Sequence, residues 1–196
     1  MRNLNDAKWY PADLDDSGKK EIDDFILSKK RYLFLDIDGV LTSTDHCLIL
    51  GYVPLARLYS GENKKQELTV SEFSPVAVKL IQKLQVNCNA DIILHSTWRT
   101  DFSLGELNAV FPFNISAFTD GGSRNERIAD YILENKLNIE DVAIIDDYPC
   151  AASYDVVNLQ PRWEKVDCHL GFTGYNYISI LEKFGIKRID LPTIIF

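Results

Sequence analysis

Two acidic pairs, Asp36 with Asp38 and Asp146 with Asp147, each close an apolar run, and that placement is the strongest chemical signal in the chain. The first pair follows Tyr32-Leu33-Phe34-Leu35 and precedes Gly39. Side chains alternate along an extended backbone, so Asp36 and Asp38 share one side while Ile37 points away. Two carboxylates at the end of a buried strand repel each other and lose hydration. They are tolerated where a cation lies between them or one holds a proton. Gly39 permits a tight turn and a close backbone approach. Acids also decorate ordinary surface turns, so the first pair alone decides nothing. The second pair follows Val142-Ala143-Ile144-Ile145. In an open parallel sheet, ligands gather beyond the carboxyl ends of the strands, so both pairs fall on one functional edge. A donor set of oxygens from Asp36, Asp38, Asp146 and Asp147 suits Mg²⁺ rather than zinc or copper.

Other residues are predicted to reach the same edge. Ile92-Ile93-Leu94 delivers His95-Ser96-Thr97, whose hydroxyls can donate to a phosphoryl oxygen. Read alone, Ser96 is a satisfied turn hydroxyl. Arg124 supplies a cation at the start of a helix, where the helix dipole disfavours positive charge. A local rule broken in this way points to function. The plain alternative is an exposed Arg124 paired with Glu126 or Asp130. Arg99 either touches substrate or pairs with a neighbouring acid. Two doublets, His46-Cys47 and Cys168-His169, lack the spacing of a zinc site.

The pattern predicts the elements that must hold these groups. Apolar runs alternate with helical periodicity, the mark of a mostly parallel sheet wrapped by helices. Strands are expected at 32–35, 92–94, 114–118 and 142–145, with a fifth at 156–159. Helices are expected after Ser17, with Ile22, Phe25 and Ile26 on one face, and after Ser74-Pro75, with Val76, Leu80, Ile81 and Leu84 inward. A third opens at Ser123 through a capping box with Glu126 and buries Ile128, Tyr131 and Ile132. A last runs near Tyr175 to Phe184 and stops at Gly185. The segment 41–73 reads as irregular, and Tyr52, Arg57, Tyr59, Lys64 and Lys65 make it either a substrate flap or a solvated loop. Residues 1–30 read as an arm and helix packed on a core domain of 31–196.

The bulk properties narrow the class. A length of 196 residues, 46% hydrophobic and 26% charged, suits one soluble domain. No apolar run is long enough to span a membrane, and the N-terminus has no secretory pattern. Four scattered cysteines read as reduced thiols in a cytoplasmic protein. A net charge of −8 argues against broad non-specific nucleic-acid binding, though not against a local basic groove.

The segment Phe34-Leu35-Asp36-Ile37-Asp38-Gly39-Val40-Leu41-Thr42 resembles the first motif of the haloacid dehalogenase superfamily. The apolar strand ending in Ser96, the basic Arg124, and Ile144-Ile145-Asp146-Asp147 are similar to its second, third and fourth motifs, in the same order. His95-Ser96-Thr97-Trp98-Arg99, Ile128, Val166-Asp167 and Gly171-Phe172-Thr173 resemble a compact branch, the phosphatase-like domains of multi-domain RNA-repair proteins. The resemblance covers roughly residues 31 to 185. It implies a Rossmann-like three-layer α/β/α sandwich and a Mg²⁺-dependent phosphomonoester hydrolase. In that chemistry Asp36 is the nucleophile and forms an aspartyl phosphate, while Asp38 protonates the leaving group and then activates water. Mg²⁺ is held by Asp36, the Asp38 backbone carbonyl and Asp146, with Asp147 supporting it through water. Ser96 and Arg124 bind the phosphoryl oxygens, and Gly39, Thr97 and Arg99 flank the substrate. Many members carry Lys where this chain offers Arg124; Lys136 lies too late in its helix to replace it.

Cap domains of the superfamily are inserted between the first and second motifs or between the second and third. Here those intervals are 60 positions (96 − 36) and 28 positions (124 − 96), too short for a full cap. An open site implies a large substrate such as a nucleic-acid end, toward which the RNA-repair resemblance leans and from which the acidic charge leans away. The alternatives are a nucleotidase-like small-molecule phosphatase and a phosphate-binding module without turnover.

Overall fold

The structure is a computed structural model and describes residues 15–51, 72–148 and 157–186, with only the backbone given at positions 22, 23 and 25–27. The N-terminal arm up to residue 14, the proposed flap residues Tyr52 to Lys65, and Cys150 lie outside the described residues, as does the inward face expected of Ile22, Phe25 and Ile26. Strands β1 (Arg31–Leu35), β2 (Ala90–Leu94), β3 (Ile115–Phe118), β4 (Val142–Asp146) and β5 (Trp163–Lys165) form one sheet in the order β3-β2-β1-β4-β5. Every pairing is parallel. Six α-helices are described: α1 (Asp16–Leu27), α2 (Thr44–Ile49), α3 (Pro75–Asn87), α4 (Leu104–Val110), α5 (Arg124–Glu134) and α6 (Gly174–Lys183).

Both faces of the sheet are covered, which is why its strands read as unbroken apolar runs. Leu33, Leu35, Ile92, Leu94, Ala143 and Ile145 face one side, against Ile81 and Leu84 of α3, Leu107 of α4 and Ile180 and Leu181 of α6. The alternate residues Phe34, Ile93, Val142 and Ile144 face the other, against Ile128, Ala129 and Ile132 of α5. The period of two along each strand thus separates two cores and gives the expected three-layer α/β/α sandwich. Among the described residues nothing forms a separate cap domain.

Helix starts follow their caps. The Ser74 hydroxyl accepts from the Ala77 N–H at 3.4 Å, with Pro75 in the first turn. Glu126 accepts from the Ser123 N–H at 2.8 Å, which anchors the first turn of α5; such caps contribute about 1 kcal/mol each.

Four expectations are corrected. Asp15, not Ser17, caps α1, its carboxylate accepting from the Gly18 N–H at 2.8 Å. Val76 is exposed, and Ala77 and Val78 take the inward positions with Leu80, Ile81 and Leu84. The segment after the first motif is not wholly irregular, because Ser43 caps α2. The fifth strand is Trp163–Lys165, paired with Ile144 to Asp146, and not 156–159. Val157 and Leu159 are buried in the α5-side core, so their apolar character serves packing, and the turn Gln160–Arg162 with Pro161 separates them from the sheet edge.

Candidate active site

The sheet register brings the acids together. Leu35 pairs with Leu94 on one side and with Ile145 on the other. The ladder runs one step further through Asp36 N–H to the Ile145 carbonyl (3.0 Å) and His95 N–H to the Leu35 carbonyl (3.1 Å). Asp36, His95 and Asp146 therefore stand at one level beyond the ends of adjacent strands. All three are buried.

One oxygen from each of Asp36, Asp146 and Asp147 lies within 4.8 Å of the others. Asp36 Oδ1 accepts from the Ile37 N–H at 2.8 Å, and Asp146 Oδ1 from the Tyr148 N–H at 2.7 Å. Among the described residues the buried Asp146 Oδ2 has no hydrogen-bond partner. Burial above all, with the nearby Asp36 carboxylate, raises Asp146 and Asp147 above the usual carboxylate range against the pull of Arg124. An oxygen-only cluster with a bare buried acceptor fits a hard divalent cation. Gly39, at φ +71°, presses its Cα face against Asp147, and a Cβ there would overlap that carboxylate.

Asp38 stands apart from the cluster. Its Oδ2 accepts from the Trp98 indole N–H at 3.0 Å, and Thr42 Oγ1 lies 3.3 Å from Oδ1. Burial is the main cause that raises its pKa, with Asp36 and Asp147 adding to it and the Trp98 and Thr42 hydrogen bonds opposing it. The Asp38 side chain is thus engaged by Trp98 and Thr42 and is not one of the three clustered carboxylates.

Arg124 opens α5 with its guanidinium among the acids. Its Nη1 lies 3.2 Å from Asp36 Oδ2 and hydrogen-bonds Asp146 Oδ1. The Tyr148 ring lies beneath it at 5.3 Å, and the Tyr148 carbonyl in turn accepts from the Trp163 indole at 3.1 Å. The alternative partners Glu126 and Asp130 are not what holds it. Buried Ser96 has a hydroxyl without a partner among the described residues. Among the described residues Arg99 pairs with no acid: Nε donates to the Thr119 carbonyl (3.0 Å) and Nη1 to the Ser96 carbonyl (2.9 Å), bracing the segment that carries Ser96. Thr97 is exposed beside it, and Lys136 is exposed at the far end of α5.

Sequence reasoning gave no role to three further residues. Arg127 is buried next to Arg124, donates to the Gly122 carbonyl at 3.2 Å and keeps Nε unpartnered. His95 Nε2 lies 3.6 Å from Asp146 Oδ2. Burial holds its pKa down to about 4, so the contact is polar and not an ion pair at neutral pH. Trp98 supports Asp38. An arginine one turn after a helix-start arginine was a readable signal; the partners of His95 and Trp98 were not. The start of α2, which carries His46-Cys47, is tied to the second doublet by Thr44 N–H to the Cys168 carbonyl and Asp45 N–H to the His169 carbonyl. The aspartate trio is nevertheless the only three-ligand cluster among the described residues. Cys47, Cys88 and Cys168 form no disulfide among the described residues. No described helix is long and apolar enough to cross a membrane.

A parallel sheet with acids, a bare hydroxyl and a guanidinium gathered beyond its carboxyl end defines a Rossmann-like domain of phosphohydrolase type. Residues 32–176 match the family described as the HAD domain in Swiss Army Knife RNA repair proteins, and the chain belongs to that family of haloacid dehalogenase-type domains. No curated protein and no solved structure matches it.

Proposed function

We propose that the chain is a Mg²⁺-dependent phosphomonoester hydrolase that works through an aspartyl phosphate on Asp36 and acts on a nucleic-acid end. The observation that carries this reading is the convergence of Asp36, Asp146, Asp147 and Arg124 beyond β1 and β4, with Asp38 held beside them by Trp98 and Thr42. Asp36 attacks phosphorus in line, and the ester P–O bond breaks as Asp38 gives its proton to the leaving alkoxide. Asp38 then takes a proton from water, whose oxygen displaces Asp36 and releases phosphate. Arg124 and the Ser96 hydroxyl meet the equatorial oxygens, where charge spreads in the transition state. Asp36, Asp146 and Asp147 would hold the cation, which supplies the positive charge that lets an anionic nucleophile approach an anionic ester.

Arg99, Arg124 and Arg127 interact electrostatically around the acids in a chain of net charge −8, which supports a locally basic entrance for a polyanion. Gly39, Thr97 and Arg99 flank the substrate in this reading. Turnover measured on nucleotides, sugar phosphates, phosphopeptides and 3′- or 5′-phosphorylated oligonucleotides tests it. The highest kcat/KM is expected on an oligonucleotide end. A clear preference for free nucleotides would instead favour a nucleotidase, and binding without turnover a phosphate-binding module.

Metal dependence has a definite sign with pH. A carboxylic acid whose native pKa is raised keeps a proton that the unfolded chain releases above about pH 3.9, so its stabilising contribution fades as pH rises. This applies to Asp146 and Asp147. Cations and protons compete for the same oxygens. The gain in melting temperature from Mg²⁺ is therefore expected to be larger near pH 8 than near pH 5. Chelation should stop turnover, Mn²⁺ should restore it, and Ca²⁺ should inhibit, because its preference for bidentate carboxylates occupies the attacking oxygen. A melting gain independent of pH would remove the carboxylate cation site.

A further inference from the structure

We propose that Trp98 is a positioning residue for Asp38: its indole N–H holds Oδ2, so that Oδ1 is the oxygen that exchanges a proton with the leaving group. This rests on the reading of Asp38 as the acid and base. The indole N–H is a donor and cannot accept. It lies 3.0 Å from Asp38 Oδ2, and a proton on that oxygen would weaken the acceptor the indole requires. Thr42 behaves differently, because a hydroxyl both donates and accepts. Its Oγ1 lies 3.3 Å from Asp38 Oδ1 and 3.4 Å from the Ile37 carbonyl. With Asp38 ionised, the hydroxyl donates to Oδ1. When Oδ1 carries the proton, the hydroxyl turns to Ile37 and can accept. Both protonation states are therefore accommodated at Oδ1.

The indole cannot drift from this duty. Trp98 is 8% exposed, stacked on Phe102 with centroids 5.4 Å apart and tilted against Phe73 at 5.6 Å. It also sits in the turn Thr97–Thr100 that directly follows Ser96. One short segment thus carries both the hydroxyl facing the phosphoryl group and the support of the acid.

The test compares kcat/KM of wild type and Trp98→Phe on two esters. β-Glycerophosphate has an alkoxide leaving group that needs a proton, and p-nitrophenyl phosphate has one that departs largely without it. The phenyl ring keeps much of the packing and removes the N–H. A fall of about tenfold or more on the alkyl ester is expected, a part of the roughly hundredfold to ten-thousandfold that general acid catalysis supplies, with a much smaller fall on the aryl ester. A purely structural role lowers both by the same factor, and that result, or no fall at all, overturns the proposal. Should the phenylalanine variant melt early, β-(3-benzothienyl)alanine at position 98 replaces the N–H with sulfur in the same ring frame and gives the same comparison. Wild type inactive on both esters and on phosphorylated oligonucleotides would overturn the phosphatase reading itself, and with turnover on oligonucleotides alone the same variants are compared on a 3′-phosphorylated end; equal losses in an active enzyme remain a distinct outcome.

Discussion

Asp36→Asn is expected to bring turnover down to the no-enzyme background while the fold stays intact. The amide keeps the shape of the side chain, and its oxygen can still accept from the Ile37 N–H as Asp36 Oδ1 does at 2.8 Å. What disappears is the nucleophile, and with it the covalent route, a loss of roughly a thousandfold or more. Two opposing effects act on stability. Arg124 loses one of its two carboxylate partners, yet Asp146 remains. Against that, the Asp36 charge helps raise Asp38, Asp146 and Asp147, and its removal relieves all three. Stability without metal should therefore hold or rise. Aryl phosphate turnover and a thermal melt of the purified variant check both halves. Activity well above background would take the nucleophile away from Asp36.

Arg124→Ala is expected to lower kcat/KM by roughly a hundredfold, the scale of one lost charge-stabilising donor. Arg124→Lys should recover much of it, since an ammonium can meet the same oxygens. The helix-start position alone implies that losing the charge leaves stability unchanged or slightly better, by about 0.3–1 kcal/mol at most. The structure reverses that expectation. The guanidinium is the counter-charge between two buried carboxylates, and stripping one partner from such a set typically costs on the order of 3–5 kcal/mol. Arg124 retains 29% side-chain exposure, which screens part of this. The alanine variant should thus melt below wild type without metal, and Mg²⁺ should recover part of the difference by supplying charge to the same oxygens. Near-normal kinetics would remove Arg124 from the site.

How much of this was readable follows from where each residue finds its partner. β1, β2 and β4 were legible because strands buried on both faces are continuous apolar runs. α3 and α5 were legible because Ser74-Pro75 and Ser123 with Glu126 satisfy helix ends from within four residues. The acidic pairs declared themselves because strand ends in a parallel sheet share an edge. β5 was hidden: three residues with one buried position carry no periodicity, while the apolar Val157 and Leu159 belong to packing. α2 was hidden for the same reason of length, one cap and six residues among polar neighbours. Trp98 and Asp38 lie 60 positions apart, and nothing in either neighbourhood announces the other. Of the two readings of Arg99, the acid partner gives way to the Thr119 and Ser96 carbonyls, which no composition reveals.

The strand order β3-β2-β1-β4-β5 also sets when the site can exist. The chain winds outward from β1 in one direction through β2 and β3, then returns to lay β4 on the opposite side of β1. Asp36 and Asp146, 110 positions apart (146 − 36), meet only at that return. A chain emerging during synthesis presents Asp36, Asp38, Ser96 and Arg124 before the strand that carries Asp146 has appeared. Until β4 docks, one edge of β1 keeps its backbone groups open, and loop closure must precede any reward from the pairing. Completion of the acidic trio therefore requires the docking of β4, and cation binding would act on that step of assembly rather than on the pairing of β1 with β2.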